Sequence, residues 1–265
     1  MLKDTFGADK PIIGMIHLCA LPGSPLHDAA GGMAKVIDDA ARDIEALQDG
    51  GVDAVMFGNE NDRPYLLEAT PVSLAAFAFA VGQLKPMIRV PFGVNYLWDP
   101  VATVSLAIAS AAGFAREIFT GVYESDMGLW VPDAATALRL RADGGRPDLK
   151  LLFNINAEFA SPLGNRSIGQ RARNAVFSSL ADVVLVSGPM TGEAVEVGRL
   201  REAKAAVPGT PVFANTGVTI DSVAEILAIG DGAVVGTHFK VEGKTFNRVE
   251  RGRVARFMDK VRSLR

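Results

Sequence analysis

One cysteine among 265 residues rules out a disulfide within the chain, and with it the stapled, secreted scaffolds; it fits a reducing compartment. A surplus of charge is missing too. The 27 Lys and Arg stand against 30 Asp and Glu, for a formal net charge of −3, so no bulk attraction to nucleic acid or to an anionic membrane follows. No apolar run approaches the ~18 residues needed to span a bilayer; the most apolar helical stretch runs only from Thr70 to Leu84. The opening residues MLKDTFGADK carry acids and do not resemble a secretory signal. A cytoplasmic protein without a transmembrane segment is therefore expected. No polar linker, low-complexity tract or charge block divides the chain, so one domain over 1–265 is expected, at a length that can bury a large core.

What is present is a repeat of short apolar strand and helix, punctuated by 27 glycines and 14 prolines. Strands are predicted in IIGMIHL after Pro11, then at Val52–Phe57, Met87–Val90, Phe114–Phe119, Lys150–Ile155, Asp182–Val186, Pro211–Ala214 and Gly232–Val235. Helices are predicted at Met33–Gln48, Pro71–Leu84, Pro100–Ala112, Ala134–Arg141, within SPLGNRSIGQRARNAVFSSL with Arg166, Arg171 and Arg173 in its early turns, and at Glu193–Ala206, Asp221–Ile229 and Arg248–Val261. Eight β/α units of this size predict an α/β fold, a closed (β/α)8 TIM barrel. A doubly wound open sheet has the same local pattern, but no glycine fingerprint enters the first helix.

In parallel α/β folds ligands sit beyond the carboxyl ends of the strands, and polar groups are sought there. His17 ends the first strand and His238 follows the eighth, side by side across the barrel closure. The two can share acid/base duties, or join Glu60, which follows the second strand, or Glu117 as ligands for a metal; in a proton transfer His17 would partner Glu117 or Glu158. No HxH or HExxH spacing supports a metal, so a divalent ion is the one cofactor candidate and none is required. Glu117, in REIF, is expected to enter the barrel beside Arg89, one strand earlier, with a pKa raised by desolvation. Asn154 and Asn156 share one strand face and can orient hydroxyl or carbonyl groups, and Glu158 continues their line as a candidate base. Asn59, Asn95 and Ser187 complete the rim as ligand contacts. Cys19 has no base partner, and Arg166, Arg171 and Arg173 read best as a solvated helix face.

The last two units carry the anion expectation. One strand ends in Asn215, Thr216 and Gly217, the next in Gly236 and Thr237, with Lys240 close by and Gly188 and Gly192 of SGPMTG one unit earlier. Glycines let backbone N–H groups approach phosphate oxygens, and barrels often hold phosphate at these turns. A phosphorylated small molecule is the expected partner. A homo-oligomer is expected on general grounds.

IIGMIHLCALPGSP, DAVMFGNENDRPY, RVPFGVNYLWDP, VSGPMTG, NTGV and VVGTHFK together resemble the BtpA/SgcQ family across almost the full chain. The resemblance implies a barrel of the ribulose-phosphate-binding type. It implies His17, Asn59, Glu60, Asp62 and Arg63 on one side of the mouth, and Asn215, Gly217, Gly236, Thr237 and Lys240 on the presumed phosphate side. One branch of the family is linked with photosystem I biogenesis and peripheral membrane association, another with carbohydrate catabolism, and no settled reaction comes with it. Three readings follow. The first is an enzyme acting on a small phosphorylated sugar or related metabolite by isomerase, epimerase or lyase chemistry. The second is a noncatalytic assembly factor for a membrane protein complex, with an apolar surface around Trp98, Tyr123, Met127 and Trp130. The third is a nucleotide-processing or metal-assisted hydrolase.

Overall fold

The computed structural model describes residues 1–265. Eight parallel strands close into a barrel in the order β1 (Ile12–His17), β2 (Ala54–Gly58), β3 (Phe92–Asn95), β4 (Phe114–Glu117), β7 (Lys150–Asn154), β9 (Val183–Ser187), β10 (Val212–Asn215) and β11 (Gly232–Val235). The barrel helices are α2 (Gly32–Gly50), α3 (Pro71–Leu84), α4 (Pro100–Ser110), α5 (Ala134–Asp143), α6 (Ile168–Phe177), α7 (Val197–Ala206), α8 (Val223–Ile229) and α9 (Arg251–Arg262). This is the expected (β/α)8 architecture. No helix is long and apolar enough to cross a membrane.

The strand sequences are apolar on both faces because both faces are covered. Alternate residues point inward, so Ile13, Met15, Ala54, Met56, Phe114, Leu152, Val183, Leu185, Phe213 and Val234 fill the barrel with one cluster. Their outward neighbours join a second cluster of 54 residues shared with the helices. Side-chain caps start several helices at their expected positions. Thr70 receives the Ser73 N–H, Asp99 those of Val101 and Ala102, and Ser167 closes a capping box with Gln170.

Three features differ from the expectation. Strand three begins after Pro91 rather than ending there: residues 85–87 form a 3-10 turn, and β3 starts at Phe92, in line with proline's missing ladder donor. An unexpected helix α1 (Leu2–Phe6) closes the amino end of the barrel, its Phe6 ring lying 5.0 Å from Phe114 and 5.8 Å from Phe213. The long loops after β4 and β7 form a small antiparallel sheet, with β5 (Tyr123–Ser125) between β6 (Gly128–Trp130) and β8 (Ala160–Pro162). This sheet backs an aromatic cluster of Trp98, Tyr123 and Trp130, with Tyr65 and Phe159 against it. Trp98, Tyr123 and Trp130 are each only 2 % exposed, so the surface expected around them is instead interior packing.

Candidate active site

The carboxyl ends of the barrel strands surround a pocket of about 410 Å³, counting the part open to solvent. His17, Glu60, Glu158, Asn215, Thr216, Gly217, Gly236 and Thr237 all line it. Arg116, Thr191, Gly192 and Trp98 join them; Arg116 and Thr191 were not singled out by the sequence.

His17 ends β1 and is 8 % exposed, and Glu60, two residues beyond β2, is 5 % exposed. The Nε2 atom of His17 lies 3.5 Å from Oε1 of Glu60. Its Nδ1 lies 3.3 Å from the Thr245 carbonyl, which can only accept, so Nδ1 carries the proton and the neutral ring turns a lone pair toward Glu60. Burial holds the His17 pKa well below its ordinary value, with the Lys240 and Arg116 charges adding to the effect. Burial also pushes the Glu60 carboxyl up to about 7, against the opposing pull of Arg116. Both shifts disfavour the separated charges, so the pair holds one exchangeable proton near neutrality. The other Glu60 oxygen, Oε2, is buried without any hydrogen-bond partner. Gly58 makes room for this carboxylate: a Cβ there would lie 2.5 Å from Oε2.

Glu158, beyond β7, is held differently. Its Oε2 receives Thr191 Oγ1 at 2.9 Å, and its Oε1 receives Asn215 Nδ2 at 3.2 Å and Arg116 Nη2 at 3.5 Å. Burial still raises its pKa, opposed first by Arg116 and then by these hydroxyl and amide donors. Asn154 stands behind the site, its Oδ1 receiving Arg116 Nε at 3.3 Å and its Nδ2 donating to Ser187 Oγ at 3.1 Å. The backbone N–H groups of Gly192 and Gly217, both at positive φ, make no hydrogen bond within the chain.

Several expected site residues lie elsewhere. Arg89 precedes β3, so it sits at the opposite end of the barrel, largely exposed and paired with Asp49 at 2.7 Å. The cation actually placed inside is Arg116. Glu117, the next residue, turns outward between β4 and its helices, accepts from Asn95 Nδ2, and does not line the pocket. Asn156 exchanges two hydrogen bonds with the Ser187 backbone and holds its loop to β9. Asn59 accepts from the Leu97 N–H at 2.8 Å and donates to Asp62 at 3.1 Å, binding loops to each other. Lys240 is spent on Asp43 at 2.7 Å. His238 packs on Phe257 and Phe239, half-buried, away from His17. No group of three or more His, Cys, Asp and Glu side chains converges to hold a metal.

Two of the turn glycines also have a packing reason. A Cβ on Gly188 or Gly217 would fall 2.2 Å from backbone atoms of Glu193. The loop after β9 therefore lies directly on the β10 turn, and Gly188 N–H donates to Thr216 Oγ1 at 2.8 Å to fasten it. Gly188 is consumed in this contact, whereas Gly217 still lines the pocket.

The sequence model of the BtpA family matches residues 8–263. The chain is 48% identical over 264 residues to the putative sgc region protein SgcQ of Escherichia coli (strain K12), covering 100% of this chain and 98% of that relative. It is 31% identical over 262 residues to the photosystem I biogenesis protein BtpA of Synechocystis, covering 97% and 90%. Among solved structures it is similar to thiamine phosphate pyrophosphorylase from Pyrococcus furiosus, with a TM-score of 0.57, 16% identity, and 100% and 99% of the two chains covered. It is also similar to phosphoribosyl anthranilate isomerase from Thermus thermophilus, with a TM-score of 0.56, 13% identity, and 96% and 100% covered. At such identities these likenesses show the fold alone.

Proposed function

The chain belongs to the BtpA family, and from that premise we propose that it is an enzyme moving a proton on a small phosphorylated sugar or related metabolite bound at the barrel mouth. The observation that carries this reading is the His17–Glu60 pair, buried, 3.5 Å apart and lining the pocket at the barrel mouth. A carboxyl group with a pKa near neutrality is suited to both taking and returning a proton. The phosphate would lie against the Gly192 and Gly217 N–H groups and the Thr237 hydroxyl, which line the same pocket. Glu158, fixed by its donors, would orient substrate hydroxyls.

Native mass spectrometry of gently purified protein, followed by identification of any retained small molecule, tests the reading. A stoichiometric phosphorylated metabolite is the expected result, and replacing Thr237 with Glu should expel it by charge repulsion at the turn. Retention of the same molecule by the Thr237→Glu protein would remove the phosphate from that turn.

A second reading, a role in assembling a membrane protein complex, is favoured by the biogenesis name of the Synechocystis relative. It would use a surface other than the one expected from the sequence. Leu129, Val131 and Leu163, on and beside the appended sheet, are 64, 60 and 62 % exposed. An empty pocket together with stable capture of a membrane-complex subunit, lost on changing these three residues to Asp, would favour this role over the enzyme.

A further inference from the structure

The same molecule contains two buried ion pairs, and they are built unlike each other. Lys240 and Asp43 meet at 2.7 Å, and the second Asp43 oxygen receives the Val249 N–H at 2.7 Å. Both Asp43 oxygens are occupied, and the pair closes at an ordinary ion-pair length. Arg116 is 5 % exposed, yet its contacts are single and long: 3.3 Å from Nε to Asn154 and 3.5 Å from Nη2 to Glu158. A structural Arg–carboxylate pair closes to about 2.7–2.9 Å, often through two parallel bonds. Glu158 instead takes closer donors, Thr191 on one oxygen and Asn215 on the other. The third guanidinium nitrogen of Arg116, Nη1, donates to no group of the chain.

Arg116 therefore brings unused donors to the pocket, which the Glu60 carboxyl also lines. The ligand must answer both, with an oxygen that can carry negative charge and a transferable proton. Adjacent carbonyl and hydroxyl-bearing carbons have both properties.

We propose that the substrate is an α-hydroxycarbonyl compound and that Arg116 is the group that holds its enediolate oxygen; this rests on the acid/base reading of the site above. The ionised Glu60 takes the proton from the carbon beside the carbonyl. The electron pair of the broken C–H bond forms the carbon–carbon double bond, and the carbonyl π electrons move onto oxygen, where Arg116 donates to the new charge. Return of the proton to the other face of the same carbon, as the electrons on oxygen re-form the carbonyl, completes an epimerisation. For an isomerisation the hydroxyl proton of the enediolate first passes to the former carbonyl oxygen, the new carbonyl forms at the carbon it left, and the carbon-bound proton returns to the former carbonyl carbon. No oxidant, reductant or second substrate is needed.

Calorimetric titration of the full chain with phosphoglycolohydroxamate, a planar enediolate mimic, and with glycerol 3-phosphate, which has the same phosphate but no such oxygen, tests this. The wild type should prefer the hydroxamate by at least about tenfold, the effect of one charge-assisted hydrogen bond. Arg116→Gln should bring the two ligands to parity while leaving the affinity for inorganic phosphate unchanged. No preference in the wild type, or a preference kept by Arg116→Gln, overturns the assignment. If circular dichroism shows that Arg116→Gln does not fold, Arg116→Lys, which keeps the charge without the planar fork, should also lose the preference, and keeping it overturns the assignment. Failure of the wild type to bind inorganic phosphate would instead sink the phosphate site. Glycolohydroxamate, which has no phosphate, then decides Arg116 by itself: binding lost in the variants supports the role, and no binding to the wild type overturns it.

Discussion

Glu117 sits buried on the outer side of β4 with one oxygen bonded by Asn95 and the other without a partner. Burial raises its pKa from 4.5 to about 8, more than the opposing pull of Arg116. In the unfolded chain this carboxyl ionises near its ordinary value, whereas in the folded chain it keeps its proton until pH 8. The unfolded state therefore loses its proton first, and stability falls as pH rises between those values, with the full penalty present above about 8. Glu117→Gln keeps the shape and does not titrate, so it should raise stability by several kcal/mol at pH 9 and leave it unchanged at pH 4. Denaturant unfolding across this range measures it; a stabilisation of the same size at both pH values would refute the buried-charge account. Glu60 titrates over part of the same interval, so the slope of the variant should shrink rather than vanish. The sequence placed Glu117 inside and overlooked Arg116 for a physical reason. A barrel strand covered on both faces is apolar at nearly every position, so nothing in FARE says which parity points inward. The strand register settles it, pairing Phe114 with Gly93 and Arg116 with Leu152, and Phe114 and Leu152 lie within the barrel cluster.

At the scale of elements, the segment from Lys240 to Val249 behaves as a strap across the first strand. Its ends bridge Lys240 to Val249, both are fastened to Asp43 of α2, and its middle presents the Thr245 carbonyl to His17. Asp43→Ala would leave the Lys240 ammonium buried without a partner, a change that costs about 3–5 kcal/mol. The expected outcome is a lowered unfolding midpoint in urea, recovered in large part by adding Lys240→Met. A double variant no more stable than the single one would show that the pair does more than neutralise itself. Neither the strap nor the appended sheet was legible beforehand. Asp43 and Lys240 lie far apart in sequence, and Asp43 looks like one more acid on the polar face of α2. The strands Tyr123–Ser125, Gly128–Trp130 and Ala160–Pro162 are three residues each, too short for a period-2 signal, and they exist because two long loops meet over the mouth. By contrast α3 and β11 fall where their residues predict, because Pro71 after Thr70 and the apolar run bounded by Gly232 and Gly236 mark both ends.

Across the whole molecule, the alternation of eight apolar strands with helices made the barrel readable, and the rule that chemistry gathers at the carboxyl ends made most of the mouth readable with it. His17, Glu60, Glu158, Asn215, Gly217, Gly236 and Thr237 come from the carboxyl ends of five different strands or the loops after them and meet around one pocket. Arg89 and His238 fell outside because their places depend on where a strand begins and how a helix packs, which local sequence does not fix. The central claim is that this mouth transfers a proton on a phosphorylated carbonyl compound, and the most direct test is proton NMR of a panel of phosphorylated sugars in D2O with catalytic amounts of protein. The account predicts deuterium entering the carbon beside the carbonyl of at least one compound, and a loss of about 100-fold or more in that rate with Glu60→Gln, the usual weight of a general base. No exchange in any compound, or exchange undiminished in Glu60→Gln, would contradict it.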